Sequence, residues 1–170
     1  VQGTLSNLAG GILILTSHPF AAGDLVETGE IKGTIQEVGL IYTKLDTADN
    51  RVVFIPNGEI SGRTITNYSA NPTRRVDLSF TTSYDDPPEK VKECIAQVVG
   101  EHPLTLPTPE PLIRVSSYKS SSIEYVVRAW CATEDYWTVY FDLTEQVKTA
   151  FDKAGIEMTY DHLNVHVVEK

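Results

Sequence analysis

Long apolar runs and positive charge are what this sequence has least of. Its longest apolar stretch, Leu8-Ala-Gly-Gly-Ile-Leu-Ile-Leu15, has eight residues, whereas about 20 are needed to span a bilayer. Taken alone, the chain is not expected to cross a membrane. Lys and Arg total 14 against 23 Asp and Glu, a net charge of −9. That balance argues against nucleic acid, whose phosphates demand a basic face, and against electrostatic adhesion to anionic lipid. The two cysteines, Cys94 and Cys131, form no CxxC pair and no disulfide framework, so reduced thiols of a cytosolic environment are expected. Val1 is preceded by neither an initiator Met nor a charged leader, so no signal peptide is expected and the chain reads as a piece of a longer protein.

What is present is ordinary for a globular protein: 41% hydrophobic and 22% charged residues over 170 positions, enough for one compact domain or two small ones. The organising stretch is Arg51–Asn67. Val52-Val-Phe-Ile55 is an unbroken apolar run and predicts a strand covered on both faces. Pro56 removes a ladder donor, and Asn57-Gly58 supplies residues that accept positive φ, so a sharp turn is expected there. Strands are also predicted at Asp24–Thr28, Ile31–Val38, Tyr42–Asp46 and Arg63–Thr66. Gly33 inside a strand points to a bulge or bend that curls a sheet. Five short strands joined by short turns predict a small Sm-like or SH3-like β-barrel over residues 18–69.

Ahead of it, Thr4–Thr16 reads as a helix, with Leu5, Leu8, Ile12 and Leu15 on one face and Gly3, Asn7, Gly10 and Gly11 on another. Each interior glycine costs about 1 kcal/mol relative to Ala, which points to close helix packing at Gly10 and Gly11; a poor helix over a soluble core is the plainer alternative. His18-Pro19 stops it. Past a Ser69–Thr73 linker, residues 70–161 predict an α/β unit: strand Arg74–Thr81, a helix opened by Pro87-Pro88 and running to Gly100, an extended proline-rich loop 102–111, strands Leu112–Tyr118 and Ser122–Cys131, and a helix Tyr136–Ala154 ended by Gly155. A last strand is expected at Leu163–Val168. This β-α-β-β-α-β order is ferredoxin-like, and the fold class is α+β.

No constellation carries catalysis. His162 and His166 lack a convergent third ligand, so no metal site is expected. His18 and His102 each precede a proline and read as loop residues. Asp85 and Asp86 are expected to favour the start of the following helix. Gly10-Gly11 lacks the flanks of a phosphate loop. Both cysteines read as core thiols, and Arg74-Arg75 as a pair that either meets acids of a neighbouring domain or is solvated. Neither an enzyme nor a bound cofactor is expected.

Several blocks nevertheless carry a family likeness: Gln2-Gly-Thr-Leu-Ser-Asn-Leu-Ala9, Pro19-Phe-Ala-Ala-Gly-Asp24, Gly33-Thr34, Thr47-Ala-Asp49, Ile55-Pro-Asn-Gly58, Ile65-Thr-Asn67, Arg74-Arg75, Val127-Arg-Ala-Trp130 and Phe151-Asp-Lys-Ala-Gly-Ile156. In these the chain resembles the bacterial small-conductance mechanosensitive channel family over nearly its whole length. The resemblance implies a homoheptamer of the bacterial inner membrane, opened by tension to release ions and small osmolytes during hypo-osmotic shock. Residues 1–17 would be the lower half of the pore-lining helix, kinked at Gly3 and lying along the cytoplasmic face of the bilayer through residues 4–16. Residues 18–69 would be the Sm-like domain of a cytoplasmic cage, with bends and turns at Gly23, Gly33 and Pro56, and 70–161 its α/β domain. Residues 162–170 would add a strand to an axial oligomeric barrel, a better use of that segment than a fourth ferredoxin-like strand.

The resemblance also implies that Asn7 meets the Asn57-Gly58 turn in a contact linked to inactivation, and that the hydrophobic gate and further membrane helices lie upstream. Two departures stand out: Asn50 where many relatives have Gly, a residue that tolerates the left-handed conformation, and Gly10 where Ala is common. Acids outnumber bases over residues 71–170, which would favour cations near the cage portals if those acids line them. The alternatives are a ligand-regulated member of the same channel family and an Sm-like RNA-binding ring; the acidic balance opposes the second.

Overall fold

The computed structural model describes residues 2–161; the strand expected at Leu163–Val168, with His162 and His166, lies outside the described residues. Two compact units meet between Pro72 and Thr73, within the Ser69–Thr73 linker.

The first unit opens with helix α1 (Gln2–Ser17). It ends where His18, held before Pro19, takes a φ of 47°. Four strands then run in sequence, β1 (Leu25–Thr28), β2 (Ile31–Val38), β3 (Tyr42–Asp46) and β4 (Val52–Pro56), followed by the single turn α2 (Asn57–Ile60) and the two-residue β5 (Thr66–Asn67). All pairings are antiparallel, in the order β4-β3-β2-β1-β5. Val26, Ile35, Leu45, Ile55 and Ile60 form the core with Ile14 and Phe20. The loop between α1 and β1 is tied by Asp24, whose Oδ2 accepts from the Ala21 backbone at 2.9 Å and from Asn67 Nδ2 at 2.8 Å. Those two bonds unite the Pro19–Asp24 and Ile65–Asn67 blocks at one corner.

Four expectations for this unit are corrected. The sheet follows an open path, and among the described residues β4 does not pair with β5, so the barrel is not closed. Here β5 has only two residues, and β4 ends on a proline that cannot donate to a ladder. β4 is covered on one face only, since Val52 and Phe54 are exposed while Ile55 is buried. The register irregularity in β2 falls between Ile35 and Glu37, not at Gly33. Gly33 is instead a point of close approach, because a Cβ there would sit 2.5 Å from both Asp46 O and Leu45 Cδ1. Finally, neither Asn57 nor Gly58 has positive φ: they open α2 rather than a hairpin turn. Asn50, by contrast, does adopt the left-handed conformation at φ 64°.

The second unit comprises β6 (Thr73–Thr82), α3 (Pro88–Glu101), β7 (Thr105–Leu106), β8 (Leu112–Tyr118), β9 (Ile123–Ala132), a 3-10 turn Thr133–Asp135 and α4 (Tyr136–Ala154). β9 lies between β6 and β8, antiparallel to both, so β6 and β8 run parallel on either side of it. β7, inside the loop expected to be merely extended, pairs with Cys131 and Trp130 of β9. α4 buries Val139, Leu143, Val147 and Phe151, spaced by one helical turn. It stops at Gly155, whose φ of 65° lets Ile156 N–H return to Phe151 O at 2.9 Å, a Schellman closure with Ile156 buried beneath it. β6, α3, β8, β9 and α4 follow one another in the expected order, with β7 added; the last expected strand falls outside the described residues.

Two polar expectations in this unit are also revised, those for Asp86 and for Arg74-Arg75. Asp86 makes no cap at α3; it is buried and accepts from Glu157 N at 2.9 Å, while Ser83 N donates to Glu157 O at 3.0 Å. Both backbone groups of Glu157 are thereby satisfied, which outweighs a cap already reduced by two prolines that lack N–H donors. His102 lies in the loop after α3, as expected, and is buried there: its Nδ1 accepts from Leu104 N at 3.2 Å, leaving Nε2 to face Asp142 Oδ2 at 3.0 Å. Arg75 pairs with Asp77 two residues along its own strand, and the Arg74 guanidinium lies 3.7 Å from the Tyr136 ring centroid. Burial pushes both thiols up from the ordinary cysteine value, Cys131 being fully enclosed and Cys94 partly so.

Because Gly155 is held at positive φ, Gly155→Ala is expected to destabilise the second unit by about 1 kcal/mol, and Gly155→Asn by less. Chemical denaturation followed by circular dichroism checks the order glycine, asparagine, alanine.

Candidate functional site

Six of the residues singled out in the sequence, Asn7, Gly10, Gly11, Pro56, Asn57 and Gly58, come together at the junction of α1 with α2. It is built from β4 outward. Pro56 closes that strand, and the Asn57 backbone N–H donates to Ile41 O at 2.8 Å. The Asn57 side chain is fully buried. Its Oδ1 accepts from Thr43 Oγ1 at 2.8 Å and its Nδ2 donates to Gly39 O at 2.8 Å, so both ends of the amide are matched, as burial demands. The next backbone N–H, that of Gly58, points at α1 and donates to Asn7 Oδ1 at 3.0 Å.

Helix α1 meets this turn with its glycine side. Gly10, Gly11 and Ile14 are the buried residues of α1, while Leu5, Ile12, Leu13 and Leu15 are exposed. A Cβ at Gly10 would lie 2.6 Å from the Asn57 carbonyl carbon and 2.8 Å from Gly58 N. At Gly11 it would lie 2.8 Å from Asn57 Nδ2 and 2.9 Å from the Leu40 carbonyl carbon. From the other side, a Cβ at Gly58 would meet Ser6 Oγ at 2.7 Å and Asn7 Oδ1 at 2.9 Å. Three glycines from two distant segments therefore let two backbones touch, the same device by which small residues bring helices together. Gly10 and Gly11 rest on Leu40, Asn57 and Gly58, and Gly58 faces Ser6 and Asn7 of α1.

α1 has no charged residue at all, and the acid of α2, Glu59, is exposed and paired with Arg63 at 2.9 Å. Among the described residues no cluster of three His, Cys, Asp or Glu side chains converges on a metal position. Chemically the arrangement does one thing: it seats a neutral, largely apolar helix on a buried polar turn. The remaining predicted residues lie elsewhere. Gly3 is in the first turn of α1 with open space around it, Gly23 lies before β1 at φ 95°, and Gly33 packs on β3. Asn57 touches α1 through its backbone and amide edge, while the hydrogen bond to Asn7 comes from Gly58. Thr43 and Gly39 were not foreseen. The alternation of β3, which turns Thr43 and Leu45 inward, is the signal that marks Thr43 as a buried hydroxyl in need of a partner.

Comparison with known proteins defines the class first. The mechanosensitive ion channel β-domain model matches residues 3–70, and the C-terminal model of the mechanosensitive channel MscS matches residues 76–158. The crystal structure of Helicobacter pylori MscS in its closed state superposes with a TM-score of 0.93 at 26% identity, over 99% of this chain and 67% of that one. The small-conductance mechanosensitive channel of Edwardsiella ictaluri is 38% identical over 169 residues, 99% of this chain and 59% of the relative. The channel MscMJ of Methanocaldococcus jannaschii is 32% identical over 98% of this chain and 49% of its own length. The chain belongs to the MscS family of mechanosensitive channels. It spans about 59% of the Edwardsiella relative, and no described helix is long and apolar enough to cross a membrane.

Gly11→Ala forces a methyl group against the Leu40 backbone and is expected to unseat α1. Amide hydrogen exchange over residues 2–17 should rise severalfold while that of α4 stays unchanged. Equal exchange in the variant and the parent would show that the glycine contact does not hold the helix.

Proposed function

We propose that this chain is part of the subunit of a mechanosensitive ion channel, supplying a cytoplasmic cage segment and the helix that joins it to the pore, with no enzymatic step. The observation that carries this reading is the seat itself: an uncharged helix whose apolar residues Leu5, Ile12, Leu13 and Leu15 are exposed, fixed on the folded unit through Gly10, Gly11 and an Asn7 hydrogen bond. Such a helix has one side for the protein and another for lipid or a neighbouring helix. Family membership supports self-assembly; we assign a homoheptamer in the bacterial inner membrane, opened by tension during hypo-osmotic shock and passing ions and small osmolytes. Residues 4–16 would lie along the cytoplasmic face of the bilayer.

Within this reading the seat is the inactivation contact. The close structural relative was captured closed, and a seated α1 corresponds to a non-conducting arrangement. One hydrogen bond is worth about 1 kcal/mol net, so its loss shifts the seated population about fivefold.

The test is patch clamp of the full-length protein in bacterial membranes lacking their own mechanosensitive channels. Suction should open stepwise currents, and Asn7→Ala should slow the decay of current under sustained suction by about fivefold. Silent patches despite confirmed insertion would overturn the channel reading.

A further inference from the structure

We propose that Thr43 is a positioning residue for the α1 seat, acting through Asn57; this rests on the seat being the inactivation contact. Thr43 lies on β3, fully buried, paired in register with Val38 on one side and Ile55 on the other. Its hydroxyl is bonded to Asn57 Oδ1 at 2.8 Å and not to α1. Two partners fix the orientation of the Asn57 amide. The Gly39 carbonyl only accepts, so it must face Nδ2, at 2.8 Å; Oδ1 is then turned to the Thr43 hydroxyl, which donates to it. The amide so oriented is part of the floor beneath the helix, since Nδ2 lies 2.8 Å from the Cβ position of Gly11. The same residue places its own carbonyl beneath Gly10 and the following N–H opposite Asn7.

Without the hydroxyl, Oδ1 becomes a fully buried acceptor with no donor, and the amide can recover a partner only by rotating. Rotation moves Nδ2 away from Gly39 and changes the surface that Gly11 rests on. Thr43 therefore sets the height and tilt of the seat from behind, without contributing a hydrogen bond to the helix. A purely structural threonine would lower stability on replacement and leave the seated population of α1 untouched, and the two roles separate experimentally.

The experiment compares Thr43→Val, isosteric but without the hydroxyl, with Thr43→Ser, which keeps it, in the full-length channel. Current decay under sustained suction is read alongside melting temperature. Thr43→Val is expected to slow the decay in the same direction as Asn7→Ala, by up to about fivefold, and Thr43→Ser to restore the parent rate. Combining Thr43→Val with Asn7→Ala should add little to Asn7→Ala alone, because both act on one contact. Should Thr43→Val fail to reach the membrane, Thr43→Cys, with its weaker donor, takes its place and is read the same way. A parent-like decay in Thr43→Val with a lowered melting temperature, or equal decay in the Val and Ser variants, overturns the positioning role. An Asn7→Ala channel that inactivates normally would instead overturn the assignment of the seat itself.

Discussion

The close approach of two backbones at Gly10, Gly11 and Gly58 is the constraint on which the first unit depends. For Asn57 to lie beneath a helix, its side chain must be buried, and a buried amide without partners costs about 1–3 kcal/mol for each orphaned group. The partners come from β3 and from the loop that precedes it, Thr43 and Gly39. They reach Asn57 only in the observed register, with Tyr42 opposite Pro56 and Thr43 opposite Ile55. A slip of one residue would turn Thr43 outward and Tyr42 into the core. The strand pairing, the turn and the helix seat are thus one cooperative arrangement, and Leu45 and Ile55, buried on the same side, supply the apolar burial that makes the register unique.

Much of this was legible in the sequence wherever local pattern and tertiary demand agree. The 3.6-residue rhythm of α4 and its Gly155 stop locate the helix to the residue, because one face is fully buried and the glycine is needed at positive φ. The likeness of Gln2–Ala9 and Ile55–Gly58 to one channel family brings Asn7 and Gly58 together, as the structure does. The misreadings share a cause: a local preference overruled by partners far away in sequence. Asn57-Gly58 has the composition of a hairpin turn, yet Ile41, Thr43 and Gly39 hold it as the start of α2. Asp86 stands where an acid favours a helix start, yet Glu157, 71 residues away, takes its carboxylate. Val52 and Phe54 look like core and are exposed, because composition fixes the strand but not how many of its faces are covered.

The two faces of α1 follow the opposite logic from an ordinary surface helix. Its large apolar residues point away from the unit and its small ones point in. Burial of side chains therefore contributes little to holding it, Ile14 excepted; backbone contact and one hydrogen bond do most of the work. Dispersion contacts of this kind fall away within about an ångström. Displacing α1 by about an ångström therefore forfeits a substantial part of what holds it.

The chemistry of the seat also decides which signals it answers to. An exposed ion pair weakens as salt rises, because counter-ions screen it over about 8–10 Å at physiological ionic strength. Under the proposed function, hypo-osmotic shock would dilute the surrounding solution while stretching the membrane, and a seat made of ion pairs would tighten just then. This seat has no charge on α1 and none on Asn57 or Gly58; the hydrogen bond from Gly58 N–H to Asn7 Oδ1 joins neutral groups. Its strength is accordingly set by geometry alone. A contact of that kind yields to a displacement of α1 and is insensitive to ionic strength.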